Sequence, residues 1–415
     1  MSAANPTTWQ STKIKFASKV MAGGTPQSSV PDYWDGPIPW LTPVDLGKKG
    51  SCAIEGSSRT LTHAGVAAAG LYILLPGTIV ISTRAPIGSV GLLACEATTN
   101  QGCKAIFPDK RKLDSKFAYY FALDAADELK SLGLGTTFIE LSTYSLKNLK
   151  LELPSPPEQR RIAAYLDEQT AKIDRLMELR RRQMALLKEQ RAALIQQAVT
   201  RGLNPNAPMK NSGIPWLGDI PEHWDLKRLK YVCKITTGSK DTVDADQDGV
   251  YPFFVRSQII EKIGSYSFDG EAVLTAGDGA GVGKVFHHYV GKFDFHQRVY
   301  MLFNFKEILG EFVFHYLKEN FYKVALEGGA KSTVDSLRMP VFLNFMMTIP
   351  PIDEQKVILD SIKVRCSQNG QLLEAYARQL TLLAEYRVSL IHECVTGQRP
   401  VPEPSSSQEA NAHAL

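Results

Sequence analysis

The glycine-rich stretch Gly277-Asp278-Gly279-Ala280-Gly281-Val282-Gly283-Lys284 is where this 415-residue chain most invites chemistry. Glycines leading to a lysine can cradle phosphate oxygens on backbone N–H groups. The spacing fails, because Asp278 occupies the first glycine position and Val285 stands where a Ser or Thr must follow the lysine. The dinucleotide fingerprint fails at Val282. His287, His288 and His296 bring three imidazoles into neighbouring segments, but no carboxylate or cysteine pattern completes a metal site. The methyltransferase motif, an Asn or Asp before Pro-Pro and an aromatic, is missing, since the Pro-Pro pairs are Pro156-Pro157 and Pro350-Pro351. No catalytic group and no resident cofactor is expected in this chain.

The frame around these residues is a duplication. Pro154-Ser155-Pro156-Pro157-Glu158-Gln159 returns 196 residues later as Pro350-Pro351-Ile352-Asp353-Glu354-Gln355. From Pro154 to Thr200 the ungapped match holds 16 identities in 47 positions. Upstream, Trp9, Lys13, Ile14 and Gly23 match Trp224, Arg228, Leu229 and Gly238 at an offset of 215. Asn100-Gln101-Gly102 against His296-Gln297-Arg298 is back at 196, so the first half carries about nineteen extra residues between. A pseudo-twofold chain suits a partner with two related halves, of which duplex DNA is the commonest.

Four parts and a tail follow: a variable domain over 1–153, a helical segment over 154–203, a second variable domain over 204–349, a second helical segment over 350–399, and a Pro/Ser/Glu-containing tail over 400–415 expected to be disordered. The variable domains read as β-rich α/β. Residues 77–82, 90–94 and 103–107 are strands by their branched side chains, and 272–275, 284–286 and 298–303 take the same places in the second half. A helix is expected near 115–132 and 309–326, and a strand runs into each proline motif. In the helical segments Ser155 with Glu158 fits a capping box, Pro156 is acceptable at the first helical position, and Gly202 stops the first helix. Leu166, Ile173, Leu187 and Leu194 recur at sevens, with Ile162 and Leu176 at the alternate spacing. Ile362, Tyr376, Leu383 and Leu390 do the same in the second, with Ile358 and Leu372 at the alternate spacing, and Asn369 is a polar break as Arg180 is in the first. The fold class is therefore α+β, with two β-rich α/β domains separated by two long helices. Each helix would be a rod of about 65–70 Å.

Composition is globular, 44% apolar and 22% charged. No apolar run reaches membrane-spanning length, no basic and apolar leader opens the chain, and six cysteines form no C-x-x-C pair. Cytoplasm is the expected compartment. Net charge is +3 over residues 1–153, +4 over 154–203, −1 over 204–349 and −2 over the rest. Bulk charge alone would not hold such a chain to phosphates.

The order of parts, "LPSPPEQRRIAAYLDEQTAKIDRL" after one variable domain and "IPPIDEQKVILDSI" after the other, resembles the specificity subunit of type I restriction–modification systems. "GIPWLGDIPEHWDLKRLKYVCKITTG" and "GTIVISTRAPIGSVG" are similar to the opening and middle of that family's recognition domains. The first half keeps only Trp9 of the lead-in. The resemblance implies a non-catalytic subunit whose helices pair antiparallel as a coiled coil and whose domains each read half of a split double-stranded DNA target. It also implies two docked methyltransferase subunits that bind S-adenosylmethionine and methylate adenine N6, and room for a restriction subunit with nuclease and translocase activity. Base-reading candidates are Arg84, Asn100, Gln101 and Lys104 in the first domain, and Arg256, Ser257, Lys284, His296, Gln297 and Arg298 in the second. Arginine suits guanine, and Asn and Gln suit adenine, although phosphates take most contacts. Asn100-Gln101 against His296-Gln297 also fits a shared structural turn. Two other readings stand beside this one: a coiled-coil scaffold whose β-rich domains bind protein, and an enzyme using the Gly277–Lys284 loop.

Overall fold

The computed structural model describes residues 9–46, 53–133, 140–324 and 337–403. The chain divides into two compact units: Met1–Arg180 with Arg378–Leu415, and Arg181–Ala377. Each unit contains one variable domain and a portion of both long helices.

In the first unit a five-stranded sheet runs in the order Ser18–Ala22, Cys103–Pro108, Ile79–Ser82, Val90–Leu93, Ala53–Ile54. In the second, a six-stranded sheet runs Lys234–Thr237, Val299–Phe303, Phe268–Ala276, Phe286–Phe295, Tyr251–Phe254, Ile260–Ile263. The first four places correspond one to one. Neighbours are antiparallel until Ala53–Ile54 and Tyr251–Phe254, which join their sheets in parallel. The strand expected at 284–286 begins only at Phe286 and continues to Phe295. The helices near 115–132 and 309–326 appear as Ser115–Asp124 followed by Ala126–Ser131, and as Gly310–Asn320 followed by a 3-10 turn, Phe321–Lys323. Residues 325–326 of the second expectation lie outside the described residues. Trp34–Leu41 pairs with Thr60–Leu61 and Thr98–Thr99 in a separate small sheet and is the counterpart of Tyr251–Phe254, since Asn100 N donates to Leu41 O at 2.8 Å as His296 N donates to Phe254 O at 3.0 Å. There Arg59 stacks 3.8 Å above the Trp34 ring.

A two-stranded zip closes each domain. Gln10–Lys13 pairs antiparallel with Lys150–Leu153, and Asp225–Arg228 with Met346–Ile349. The chain thus leaves each domain beside the point where it came in, and passes directly into a long helix, Pro156–Arg201 or Ile352–Val395. Gly202, at φ +75°, ends the first helix. In the first unit Ile162, Leu166 and Ile173 are buried with Leu390, Ile391 and Val395. Asp174 there receives both Arg387 Nε and Nη2, at 3.1 and 3.4 Å. In the second unit Ile358, Leu359 and Ile362 are buried with Ile195, Ala198 and Val199. The start of one helix lies against the end of the other, so the pairing is antiparallel.

The seam is not continuous. Leu187, Leu194 and Leu383 are half-buried, while Leu176 and Leu372, expected in the seam, are 47% and 44% exposed. The chain end also differs from expectation at its start. Val401 is buried in the first unit's core cluster and Glu403 lies 3.4 Å from Arg161, while residues 404–415 lie outside the described residues.

Each helix is joined to its domain through the glutamine of the proline motif, and both glutamines are fully buried. Gln159 Oε1 accepts from Asp114 N at 2.8 Å, and its Nε2 donates to Lys112 O and Pro154 O, both at 2.8 Å. Gln355 Oε1 accepts from Leu309 N at 2.9 Å, and its Nε2 donates to Glu307 O at 3.0 Å and Pro350 O at 2.8 Å. The neighbouring acids differ. Glu354 takes Trp224 Nε1 at 3.0 Å and His223 Nε2 at 2.8 Å, whereas Glu158 lies near Arg161.

Two outcomes follow. Gln355→Leu leaves one backbone donor and two acceptors without partners and should cost the second unit about 3 kcal/mol in urea unfolding; a change under about 0.5 kcal/mol would contradict the clamp. His315, on Gly310–Asn320, has a buried Nδ1 with no partner, and burial pushes its pKa down to about 4. The unfolded chain binds a proton near pH 6.5 that the fold resists, so stability should be full above that pH and decline as pH falls toward 4. His315→Phe should flatten that decline, and an equally steep one in the variant would remove His315 as its source.

Candidate nucleic-acid interface

Backbone hydrogen bonds place the candidate residues on the same frame in both units. Thr83 N donates to Gly102 O at 2.7 Å and Leu141 N donates to Thr83 O at 3.0 Å. In the second unit Gly277 N donates to Arg298 O at 2.8 Å and Leu337 N donates to Gly277 O at 2.9 Å. Thr83 therefore matches Gly277, and the next residue pairs Arg84 with Asp278. Two units with one backbone frame carry opposite charges at the tip of their central hairpin.

The turn before the next strand is also shared. Asn100 Oδ1 accepts from Gly102 N at 2.9 Å, and His296 Nδ1 accepts from Arg298 N at 2.9 Å. Asn100 and His296 are thus turn-forming residues, as one of the two sequence readings had it. His296 is 2% exposed with Nε2 3.6 Å from Asp241. Gln101 and Gln297 remain exposed and reach the loop after the first sheet strand, Gln101 to Thr25 Oγ1 and Gln297 to Asp241 Oδ2 at 2.6 Å.

Arg84, the first unit's outward cation, is half exposed and donates from Nε to Glu140 Oε2 at 3.0 Å. Lys104 does not face outward. It is 5% exposed, and its Nζ donates to Leu141 O at 2.7 Å and Thr83 Oγ1 at 3.3 Å, with Glu140 at 3.5 Å. Burial pulls its pKa below the ordinary lysine value. As placed, Lys104 holds the hairpin tip to the chain beyond Glu140 instead of offering a charge to solvent.

In the second unit Arg256, Lys284 and Arg298 are exposed and Ser257 is half-buried. Asp278 joins two of them. Its Oδ1 accepts from Arg256 Nη1 at 2.8 Å, and its Oδ2 accepts from Arg298 Nη1. Burial alone would raise the Asp278 pKa, but the hydrogen bonds from Arg298 and Arg256 outweigh it and hold the carboxyl below its usual range. Lys284 and Ser257 form the rim, where Gln258 Nε2 donates to Lys284 O at 3.2 Å and Ser257 O lies 3.0 Å from His287 Nε2. Sequence reasoning passed over Asp278 and Glu140. The signal for Asp278 was an acid flanked by glycines at the tip of a hairpin, with an arginine just beyond the end of each neighbouring strand.

Among the described residues no three His, Cys, Asp or Glu side chains converge as a metal site, and no helix is long and apolar enough to cross a membrane. A family model described as the type I restriction modification DNA specificity domain matches residues 6–184 and 221–368. The chain belongs to that family. It is 33% identical over 239 residues to the type I restriction enzyme MjaIX specificity subunit of Methanocaldococcus jannaschii, covering 56% of this chain and 54% of that one. It is 32% identical over 179 residues to the EcoDI specificity subunit of Escherichia coli, covering 40% and 39%. The chain thus spans about half the length of these relatives or less. Among solved structures, a chain from work on complex assembly and conformational transition of the type I R-M system superposes with a TM-score of 0.73 at 15% identity, over 94% of this chain and 98% of that one. The HsdS subunit of Thermoanaerobacter tengcongensis gives 0.56 at 15% identity, over 95% and 98%. These two likenesses establish the fold.

The two basic residues of the first unit should separate in a stability measurement. Lys104→Met strands buried acceptors and should destabilise by about 1–3 kcal/mol, while Arg84→Met should change stability by less than about 0.5 kcal/mol. Equal losses in thermal denaturation would contradict the assignment of Lys104 to the interior.

Proposed function

We propose that this chain is the DNA-reading subunit of a type I restriction–modification complex, each unit recognising one half of a split target. One observation carries the reading: the two domains share a backbone frame down to single hydrogen bonds, yet differ at the tips, where Arg84 faces outward in one and two arginines joined by the buried Asp278 face outward in the other. A repeated scaffold with divergent polar tips is what two different half-sites require, because base identity is read by side chains and register by the scaffold. Family membership supports the same reading.

The helices serve partners. Leu176 and Leu372 occupy equivalent places in the duplication and are both about half exposed, as are Leu186 and Leu382 at 63% and 62%. Exposed leucines repeated in this way suit two copies of one partner, and methyltransferase subunits are that partner in this proposal. They would bring S-adenosylmethionine and the adenine-N6 chemistry for which this chain carries no motif, with a restriction subunit as a further member and the cytoplasm as the compartment.

The test is exchange. Replacing residues 204–349 by the corresponding domain of another family member, in cells carrying the cognate modification subunits, should alter one half of the methylated motif and leave the other unchanged. Methylation sequencing that shows both halves altered, or no chain-dependent motif, would refute independent reading.

A further inference from the structure

The Gly277–Lys284 stretch, which fails as a phosphate cradle, has a use in the geometry of the second unit. We infer that Asp278 is a positioning residue that holds Arg256 and Arg298 side by side as a paired reader of guanine in the half-site of that unit; the inference rests on the DNA reading proposed above.

The loop is seated between the backbones that carry the two arginines. A Cβ on Gly281 would stand 2.5 Å from Arg256 O, and one on Gly277 would stand 3.0 Å from Arg298 O. Gly279, at φ +78°, turns the chain where an L side chain would be strained. The glycines therefore let one loop pack closely against both neighbours. Asp278 is 9% exposed, whereas the side chains of Arg256 and Arg298 are 42% and 61% exposed. The acid is the buried anchor and the guanidiniums are the outward face.

The chemistry fits base reading. Two guanidiniums brought together repel each other, and a carboxylate bonded to both offsets that repulsion and anchors one nitrogen of each. Each arginine gives up one N–H to Asp278, and a guanidinium has five. Enough donors remain for the bidentate contact that guanine O6 and N7 accept. Holding the side chains before binding also lowers the ordering cost of the complex. The residue aligned with Asp278 in the first unit is Arg84, so the paired reader belongs to the second unit.

The experiment is methylation sequencing in cells that carry the cognate modification subunits, with wild type, Asp278→Asn, Asp278→Glu, Arg256→Gln and Arg298→Gln. The half-site that changes on exchange of residues 204–349 is expected to contain a G·C pair. Asp278→Asn and both Gln variants should lower the preference for that pair on the order of 5–100-fold, leaving the other positions and the other half intact, and Asp278→Glu should restore part of it. Should Asp278→Asn fail to assemble, Arg298→Gln at its exposed position carries the same test. A half-site without a G·C pair, an unchanged motif, or uniform weakening at all sequences, as a phosphate contact would give, overturns the inference. Absence of any motif dependent on this chain would instead sink the DNA reading itself.

Discussion

A carboxamide offers one acceptor and two donors in a plane, and the fold places that set where three chain segments meet. Gln159 and Gln355 each bind the last strand's exit, the segment before the domain's helix and the N–H beyond it. A glutamate would lack the donors, and an asparagine is one methylene short of the reach. The contact is buried in both units, so water cannot substitute for it. Everything distal inherits its orientation from these amides: the strand zips at Gln10–Lys13 and Asp225–Arg228, the sheet above each zip, and the hairpin tips beyond. Because both copies are locked in the same way, the molecule can vary its tips without changing how each domain sits on its helix.

The long helices were legible in sequence because proline and glycine punctuate them and apolar residues recur at sevens. Pro156 and Gly202 mark the bounds of the first helix to within a residue. The central strands were legible because branched residues run together in them. Trp34–Leu41 escaped notice because two prolines and a glycine interrupt it, and its ladder accordingly shifts register between Trp34 and Ile38. Among the reading candidates, chemistry was visible but direction was not. Lys104 lies in a strand buried along most of its length, a context in which a lysine must turn inward or find an acid, and it does both. His296 and Asn100 look like base readers by type, yet each spends its acceptor on the N–H two residues on.

The near-neutral balance of the second variable domain also has a structural meaning. Its acids are not scattered screening charges at the tips. Asp278 lies between two arginines and Asp241 holds Gln297, as Glu140 holds Arg84 in the first unit. Such pairing lowers non-specific attraction to phosphates while keeping polar side chains fixed and outward. On the DNA reading proposed above, that combination would favour discrimination between sequences over grip on any sequence.

The first unit is assembled from the two ends of the chain, Met1–Arg180 and Arg378–Leu415, while the second is one continuous stretch. A ribosome therefore delivers every residue of the second unit before the first can be finished. Until Leu390, Ile391 and Val395 emerge, Ile162, Leu166 and Ile173 lack part of their covering, although they were made more than two hundred residues earlier. Contacts of such sequence separation form late and slowly. A chain ending before Arg378 would thus have one finished unit and one apolar helix face uncovered, a natural substrate for chaperones and proteases. The completion of the first unit therefore waits on Arg378 and the residues after it, an order set by the polypeptide alone.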